Sequence, residues 1–205
     1  PDFVELDYRH SADGVPMVFH DYDTRRLTGP PGRIRARTAA DLGAARLLDA
    51  HDAIPTLAAM LALVMGRVPL LIEIKDQDGA MGPEVGPLEA AVAAVLRGYA
   101  GPVALMSFNP HSVAALAKAA PAIPRGLTTS AYRPEDWPLL TREVRDRLRE
   151  IPDYDAVAAS FISHEVADLS RPRVADLKAK GAAVLTWTIR SPEAETAARR
   201  HADNV

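Results

Sequence analysis

The chain has 205 residues, with 27 acidic and 24 basic side chains for a formal charge of −3. That length suits one large domain or two small ones with a real core. The near balance of charge gives no support to a nucleic-acid-binding stripe or a polybasic membrane patch. Cysteine is absent, which excludes disulfides and thiolate metal sites and points to the cytoplasm as the compartment. No apolar run approaches the roughly 18–20 residues of a membrane span. The chain opens at Pro1 and runs straight into a strand, an abrupt start that predicts further residues upstream and leaves a signal peptide an open question. Nothing in the sequence bears on oligomeric state.

Taken in order, the first stretch is the most informative. Two apolar, β-rich runs, Phe3 to Arg9 and Val15 to Phe19, flank Asp13-Gly14, a strong signal for a tight hairpin. Side chains two apart on a strand share a face, so Glu5 and Asp7 point the same way. A two-residue turn at Asp13-Gly14 places His20 opposite Asp7 and His10 opposite Met17; a three-residue loop would shift the register by one. Directly opposed Cβ atoms lie roughly 4.5–5.5 Å apart, so the two-residue form gathers two carboxylates and an imidazole.

Residues 21–54 are turn-rich, with Thr28-Gly29-Pro30-Pro31-Gly32 and the basic Arg33, Arg35 and Arg37, and read as a loop or small insertion. Thr38 with Asp41 predicts a capped short helix through Leu48, and Thr56 a second helix stopped by Gly66. An apolar strand over Val68 to Lys75 follows, then a helix over Pro83–Arg97. Next come a strand over Val103 to Phe108 and a helix opened by Asn109-Pro110. A weak strand near Gly126, a helix over Leu139–Glu150 and a strand over Ala156–Ala159 continue the alternation. A helix capped by Ser170, a strong strand over Ala183–Ile189 and a helix opened by Ser191-Pro192 complete it, with Asn204-Val205 as the start of another strand. Alternation this regular predicts a parallel α/β fold. Glycine-rich turns of the dinucleotide-binding kind are absent, and polar residues collect at strand ends, so a (β/α)8 TIM barrel is favoured over an open doubly wound sheet. The strand count leaves that barrel without its first strand and most of its last, as one domain over residues 1–205.

Glu73 and Lys75 repeat the two-apart pattern in an apolar run, where charge is costly unless paired or liganded. A self-contained ion pair is the plain alternative. Together, Glu5, Asp7 and Glu73 suggest a hard-cation site suited to Mg2+ or Ca2+, Lys75 a point charge for an anionic group, and His20 a candidate general acid or base.

Glu5-Leu6-Asp7, Asp13-Gly14-Val15-Pro16, Phe19-His20-Asp21, Ile54-Pro55-Thr56-Leu57, Glu73-Ile74-Lys75, Ser107-Phe108 and Trp187-Thr188 resemble, in order and across nearly the whole chain, the glycerophosphodiester phosphodiesterases. The resemblance implies a barrel that hydrolyses a small-molecule glycerophosphodiester to sn-glycerol 3-phosphate and an alcohol with a divalent metal. It assigns metal ligation to Glu5, Asp7 and Glu73, acid–base catalysis to His20, phosphate contact to Lys75 and a pocket wall for the glycerol moiety to Trp187. The nucleophile is water or the substrate's own hydroxyl.

The family's opening His-Arg-Gly motif, source of a second catalytic His and a phosphate-binding Arg, is not in the supplied residues. Its expected place is upstream of Pro1. Two other functions follow from that departure or from the scaffold: a phosphate-ligand-binding barrel impaired in catalysis, and a lyase that stops at a cyclic phosphate. The remaining candidates have plainer readings. His51 reads as a solvent-exposed loop residue and His111 as one that packs or faces water, His164-Glu165 and His201 lack partners of suitable spacing, Asn109 is an N-cap at the barrel mouth with a substrate contact open to it, and Arg142 to Arg149 form a solvated helix face.

Overall fold

A computed structural model describes residues 3–48 and 50–205. Strand β1 (Val4–His10) and the short antiparallel β2 (Pro16–Val18) form the hairpin, followed by helices α1 (Arg25–Thr28), α2 (Ala39–Ala44) and α3 (Leu57–Val64). Then β3 (Leu70–Ile74), α4 (Leu88–Leu96), β4 (Val103–Ser107), α5 (Pro110–Ala119) and β5 (Arg125–Thr129) alternate. The chain ends with α6 (Arg142–Arg149), β6 (Phe161–Glu165), α7 (Pro172–Ala179), β7 (Ala183–Trp187) and α8 (Pro192–Ala198).

The strands make one seven-stranded sheet in the order β2-β1-β3-β4-β5-β6-β7, with every pairing parallel except β1 with β2. The order follows the chain without reversal, so the sheet has no switch point of the doubly wound kind, and the fold is of the TIM-barrel type. Asn204 adds a parallel bridge to Leu185 beyond β7, as the sequence led us to expect.

The register sorts side chains onto two faces. The outer face carries Tyr8, Leu70, Ile72, Ile74 and Leu105 against Leu57, Leu61, Leu88, Val92 and Leu116 of the helices. Leu127, Ile162 and Val184 do the same against Val113, Val174 and Leu177. Burying each such side chain contributes roughly 1.5–3 kcal/mol, which clamps the helices onto the strands. On the inner face, Leu71, Met106 and Phe161 form an apolar floor with Phe3, Ala104 and Leu185 against it. Above that floor the same faces turn polar. Gly126 belongs to this inner face because a Cβ there would lie 2.3 Å from the Phe161 ring. Gly126→Ala is expected to cost about 1–3 kcal/mol of unfolding free energy through overpacking, measured by urea denaturation; a variant as stable as the parent would mean that Phe161 can swing aside.

Several local expectations hold. Thr38 and Asp41 form a reciprocal capping box, and Thr56, Asn109 and Ser191 accept backbone N–H groups at the starts of α3, α5 and α8. Others are corrected. Helix α2 ends at Ala44 rather than Leu48, and α4 starts only at Leu88 because Gly86 has φ +77° and Pro87 takes the N-cap. Thr141 caps α6, so that helix begins at Arg142 and not Leu139. Arg171, not Ser170, stands at the N-cap of α7 and makes no side-chain cap there. The strand expected at Ala156–Ala159 is a run of turns, and β6 lies at Phe161–Glu165.

The hairpin register also differs. Gly14 N–H donates to the Ser11 carbonyl, Ser11 N–H donates to the Val15 carbonyl, and Gly14 has φ +77°. This is a three-residue loop with a left-handed glycine, which moves the pairing by one residue. His10 therefore faces Pro16, not Met17, and Phe19 rather than His20 bonds to Asp7, through its N–H to the Asp7 carbonyl at 2.9 Å. Residues 21–54 cover a small core of Met17, Phe19, Ile34, Leu42 and Ile54 beside the hairpin. No helix among the described residues is long and apolar enough to cross a membrane.

Candidate active site

In-register pairing of β1 with β3 sets Asp7 beside Glu73, and the two-residue period brings Glu5 and Lys75 onto the same inner face. Carboxylate oxygens of Glu5, Asp7 and Glu73 lie within 4.8 Å of one another. Lys75 Nζ sits 2.7 Å from Asp7 Oδ1 and 2.5 Å from Glu73 Oε1. The site is thus both a carboxylate cluster and an ion pair. Glu73 Oε1 is buried at this contact.

The electrostatics follow from this crowding. Glu5 is open to solvent through the cavity mouth, yet the surrounding protein removes much of its hydration. That loss, with the Asp7 and Glu73 charges added, pushes its carboxyl up to about 8. Burial likewise raises Glu73, with Lys75 opposing and Asp7 reinforcing the shift. Burial alone would lower Lys75, but Glu73 and Asp7 outweigh it and hold the ammonium above its ordinary value. An array of hard oxygens whose charge exceeds that of the one ammonium among them suits a divalent cation with 2.0–2.6 Å bonds, Mg2+ or Ca2+ in character.

Around the cluster opens a cavity of about 1200 Å³ lined by Glu5, Asp7, Arg9, His20, Glu73, Lys75 and Trp187, among others. His20 reaches it by a route the sequence did not suggest. It does not stand across from Asp7; the chain bends after Phe19 and presents His20 at the rim, its side chain 61% exposed. Nδ1 lies 2.8 Å from Asp21 Oδ1, so Nδ1–H is the donor when Asp21 is ionised and Nε2 is the free nitrogen. His20 and Glu73 remain close enough for the imidazole charge to stabilise the carboxylate. Trp187, at the end of β7, donates from Nε1 to the Ser163 carbonyl at 3.1 Å and meets Phe108 edge-on at 5.6 Å. Lys75 Nζ lies 5.9 Å from the Phe108 ring centre.

Three features escaped the sequence reading. Arg9, only 6% exposed, donates from Nε to the His20 carbonyl and from Nη1 to the Asp76 carbonyl, both at 2.8 Å, and stacks 3.8 Å from the Tyr22 ring centre. It ties the hairpin exit to the turn after β3. Its place two residues beyond Asp7 was the available signal. Glu165 is not partnerless: it lines the cavity, pairs with Arg133 at 2.8 Å and accepts the Ala131 N–H. His164 is a fully buried strand residue between Thr129 Oγ1 at 2.8 Å and Asp168 at 3.4 Å. Asn109 caps α5 as expected, but its amide is also consumed by Asp76 Oδ1 and the Gly82 carbonyl. At 1% exposure it has no face for a substrate. His51 and His111 are exposed, as the sequence suggested.

Known proteins share this arrangement of elements. An Oleispira antarctica phosphodiesterase, solved with the product sn-glycerol-3-phosphate, superposes with a TM-score of 0.77 at 24% identity, over 100% of this chain and 80% of that one. A glycerophosphodiester phosphodiesterase from Thermotoga maritima gives 0.71 at 20% identity, over 98% and 79%. A curated Bacillus subtilis relative, YhdW, whose name assigns it provisionally to the glycerophosphodiester phosphodiesterases, is 26% identical over 215 residues, covering 100% of this chain and 80% of its own length. The model of the glycerophosphoryl diester phosphodiesterase family matches residues 1–204. The chain therefore belongs to the glycerophosphoryl diester phosphodiesterase family.

Proposed function

We propose that this chain hydrolyses glycerophosphodiesters to sn-glycerol 3-phosphate and an alcohol, with a divalent cation, Mg2+ or Ca2+, held by Glu5, Asp7 and Glu73. One observation carries the reading: three carboxylates converge within 4.8 Å on a cavity that Lys75, His20 and Trp187 also line. The partner is a small molecule, the working unit is a single barrel domain over residues 1–205 with 21–54 as an insertion, and the compartment is the cytoplasm.

Cleaving a phosphodiester moves negative charge onto the non-bridging oxygens and onto the departing alkoxide. The cation, when bound, supplies positive charge at those oxygens. Lys75 adds a fixed ammonium beside them, already desolvated and aimed by Asp7 and Glu73, so little reorganisation is needed as charge develops. His20, with Nδ1 held by Asp21, offers Nε2 to protonate the leaving oxygen or to take a proton from the nucleophile. Trp187 and Phe108 give the cavity an apolar wall on which the carbon skeleton of the glycerol unit packs.

The test is release of glycerol 3-phosphate from glycerophosphocholine, followed by a coupled dehydrogenase assay with Mg2+ or Ca2+ present. Product should appear and should vanish on addition of chelator, returning when the ion is restored. Turnover unaffected by chelation would remove the cation from the proposal. A cyclic phosphate as the final product, seen by phosphorus NMR, would make the protein a lyase, and no turnover of any glycerophosphodiester would leave a binding barrel.

A further inference from the structure

The His20 ring is held by a relay that ends outside the cavity. Arg26, in α1, grips Asp21 with both arms of its guanidinium, Nε at 2.6 Å from Oδ2 and Nη2 at 2.9 Å from Oδ1. Asp21 Oδ1 in turn lies 2.8 Å from His20 Nδ1. From the other side, Arg9 of β1 holds the His20 carbonyl. Bidentate arginine–carboxylate pairs fix geometry as well as charge. As a contribution to stability the pair is minor, because the Arg26 side chain is 63% exposed and surface ion pairs are worth little. Its location, one residue removed from the imidazole, gives it another role.

We infer that Arg26 is a positioning residue for the reaction: through Asp21 it fixes the His20 ring, and it offsets the carboxylate charge that would otherwise favour the protonated imidazole. The inference rests on the assignment of His20 as the acid–base group. Hydrogen bonds from Arg26, with His20 assisting, hold Asp21 down at about 2, so the carboxylate is ionised throughout the working range. An ionised Asp21 without Arg26 presents its full negative charge to His20 and makes the imidazolium harder to discharge. The other charged groups facing His20 are Glu73 from β3 and Arg9 from β1, which meets it at the carbonyl oxygen.

Arg26→Ala, assayed as the cation-loaded enzyme, should lower kcat about 3–10-fold at neutral pH, a fraction of a full acid–base contribution, with KM within about twofold. The pH limb governed by His20 should move upward by roughly half to one pH unit, the size expected for one partly screened charge. Asp21→Asn should move that limb downward, and Arg26→Lys, which keeps the charge but not the fork, should return it close to its original position while kcat stays reduced. An independent readout is the imidazole Cε1–H titration by NMR, with the His20 signal assigned by its loss in His20→Gln. If His20 in Arg26→Ala titrates as in the parent and kcat is within twofold, Arg26 is only a surface ion pair and the inference falls. If the titration moves while the parent turns over no glycerophosphodiester, the coupling stands and the phosphodiesterase reading falls.

Discussion

Replacing His20 with alanine is expected to lower kcat/KM for glycerophosphocholine by about 10²–10⁴-fold, the usual worth of a positioned acid or base. Folding should be unaffected, because the side chain is largely exposed and its one side-chain hydrogen bond among the described residues is to the neighbouring Asp21. Cation affinity should also survive, since His20 is not among the converging carboxylates. That separation is the value of the experiment: calorimetric titration with Mg2+ or Ca2+ and a thermal melt should match the parent while turnover collapses. A His20→Ala enzyme within a few-fold of the parent would end the assignment of His20 to either proton transfer.

The second large effect is expected at Glu73. Glu73→Gln keeps the shape of a side chain that is 5% exposed but removes one of the three carboxylates proposed to hold the cation. Cation affinity should fall by more than about 100-fold, above the range for loss of an outer hydrogen-bond partner, and turnover should fall with it. Proton linkage gives a further signature in the unmodified protein. A carboxyl whose value is raised is protonated below that value, and a ligand carboxylate must be ionised to bind. With Glu5 pushed up to about 8, cation binding through the proposed ligands at pH 7 would expel a proton. Apparent affinity should therefore weaken as pH falls below about 8, by up to roughly tenfold per unit for one proton, and flatten above it. Titrations at several pH values check the slope. An affinity that is flat from pH 6 to 9 would show that Glu5 gives up no proton when the cation binds.

Much of this site was legible because strand periodicity is simple. Glu5 with Asp7, and Glu73 with Lys75, need only a period of two to share a face, and apolar neighbours mark their strands. The helix caps at Thr38, Thr56 and Asn109 were legible for the same local reason. Strand β6 was not, because after Phe161-Ile162 its remaining residues Ser163-His164-Glu165 are polar on both faces. Ser163 and Glu165 line the cavity, and His164 is buried outward against Thr129 and Asp168, whereas the apolar Ala156–Ala159 looked more like a strand. Function and a buried polar contact had overwritten the pattern. The position of His20 depended on a turn whose length Asp13-Gly14 does not specify, since the same dipeptide serves a two-residue loop and the observed three-residue one. Arg9 and Arg26 act through carbonyl oxygens and a neighbouring carboxylate, contacts between segments that no spacing rule announces.

The in-register pairing of Asp7 with Glu73 bears on how the barrel is proof-read as it folds. A slip of one residue between β1 and β3 would turn Asp7 and Glu5 outward among the helices, and a slip of two would displace them along the strand by roughly 6.6 Å, farther than the 4.8 Å that now encloses the three carboxylates. A divalent ion held by the three proposed ligands would thus bind best to the correctly paired sheet. Because anything that binds the native state alone shifts the equilibrium toward it, the ion would favour the right register over its neighbours and draw misaligned chains back to it.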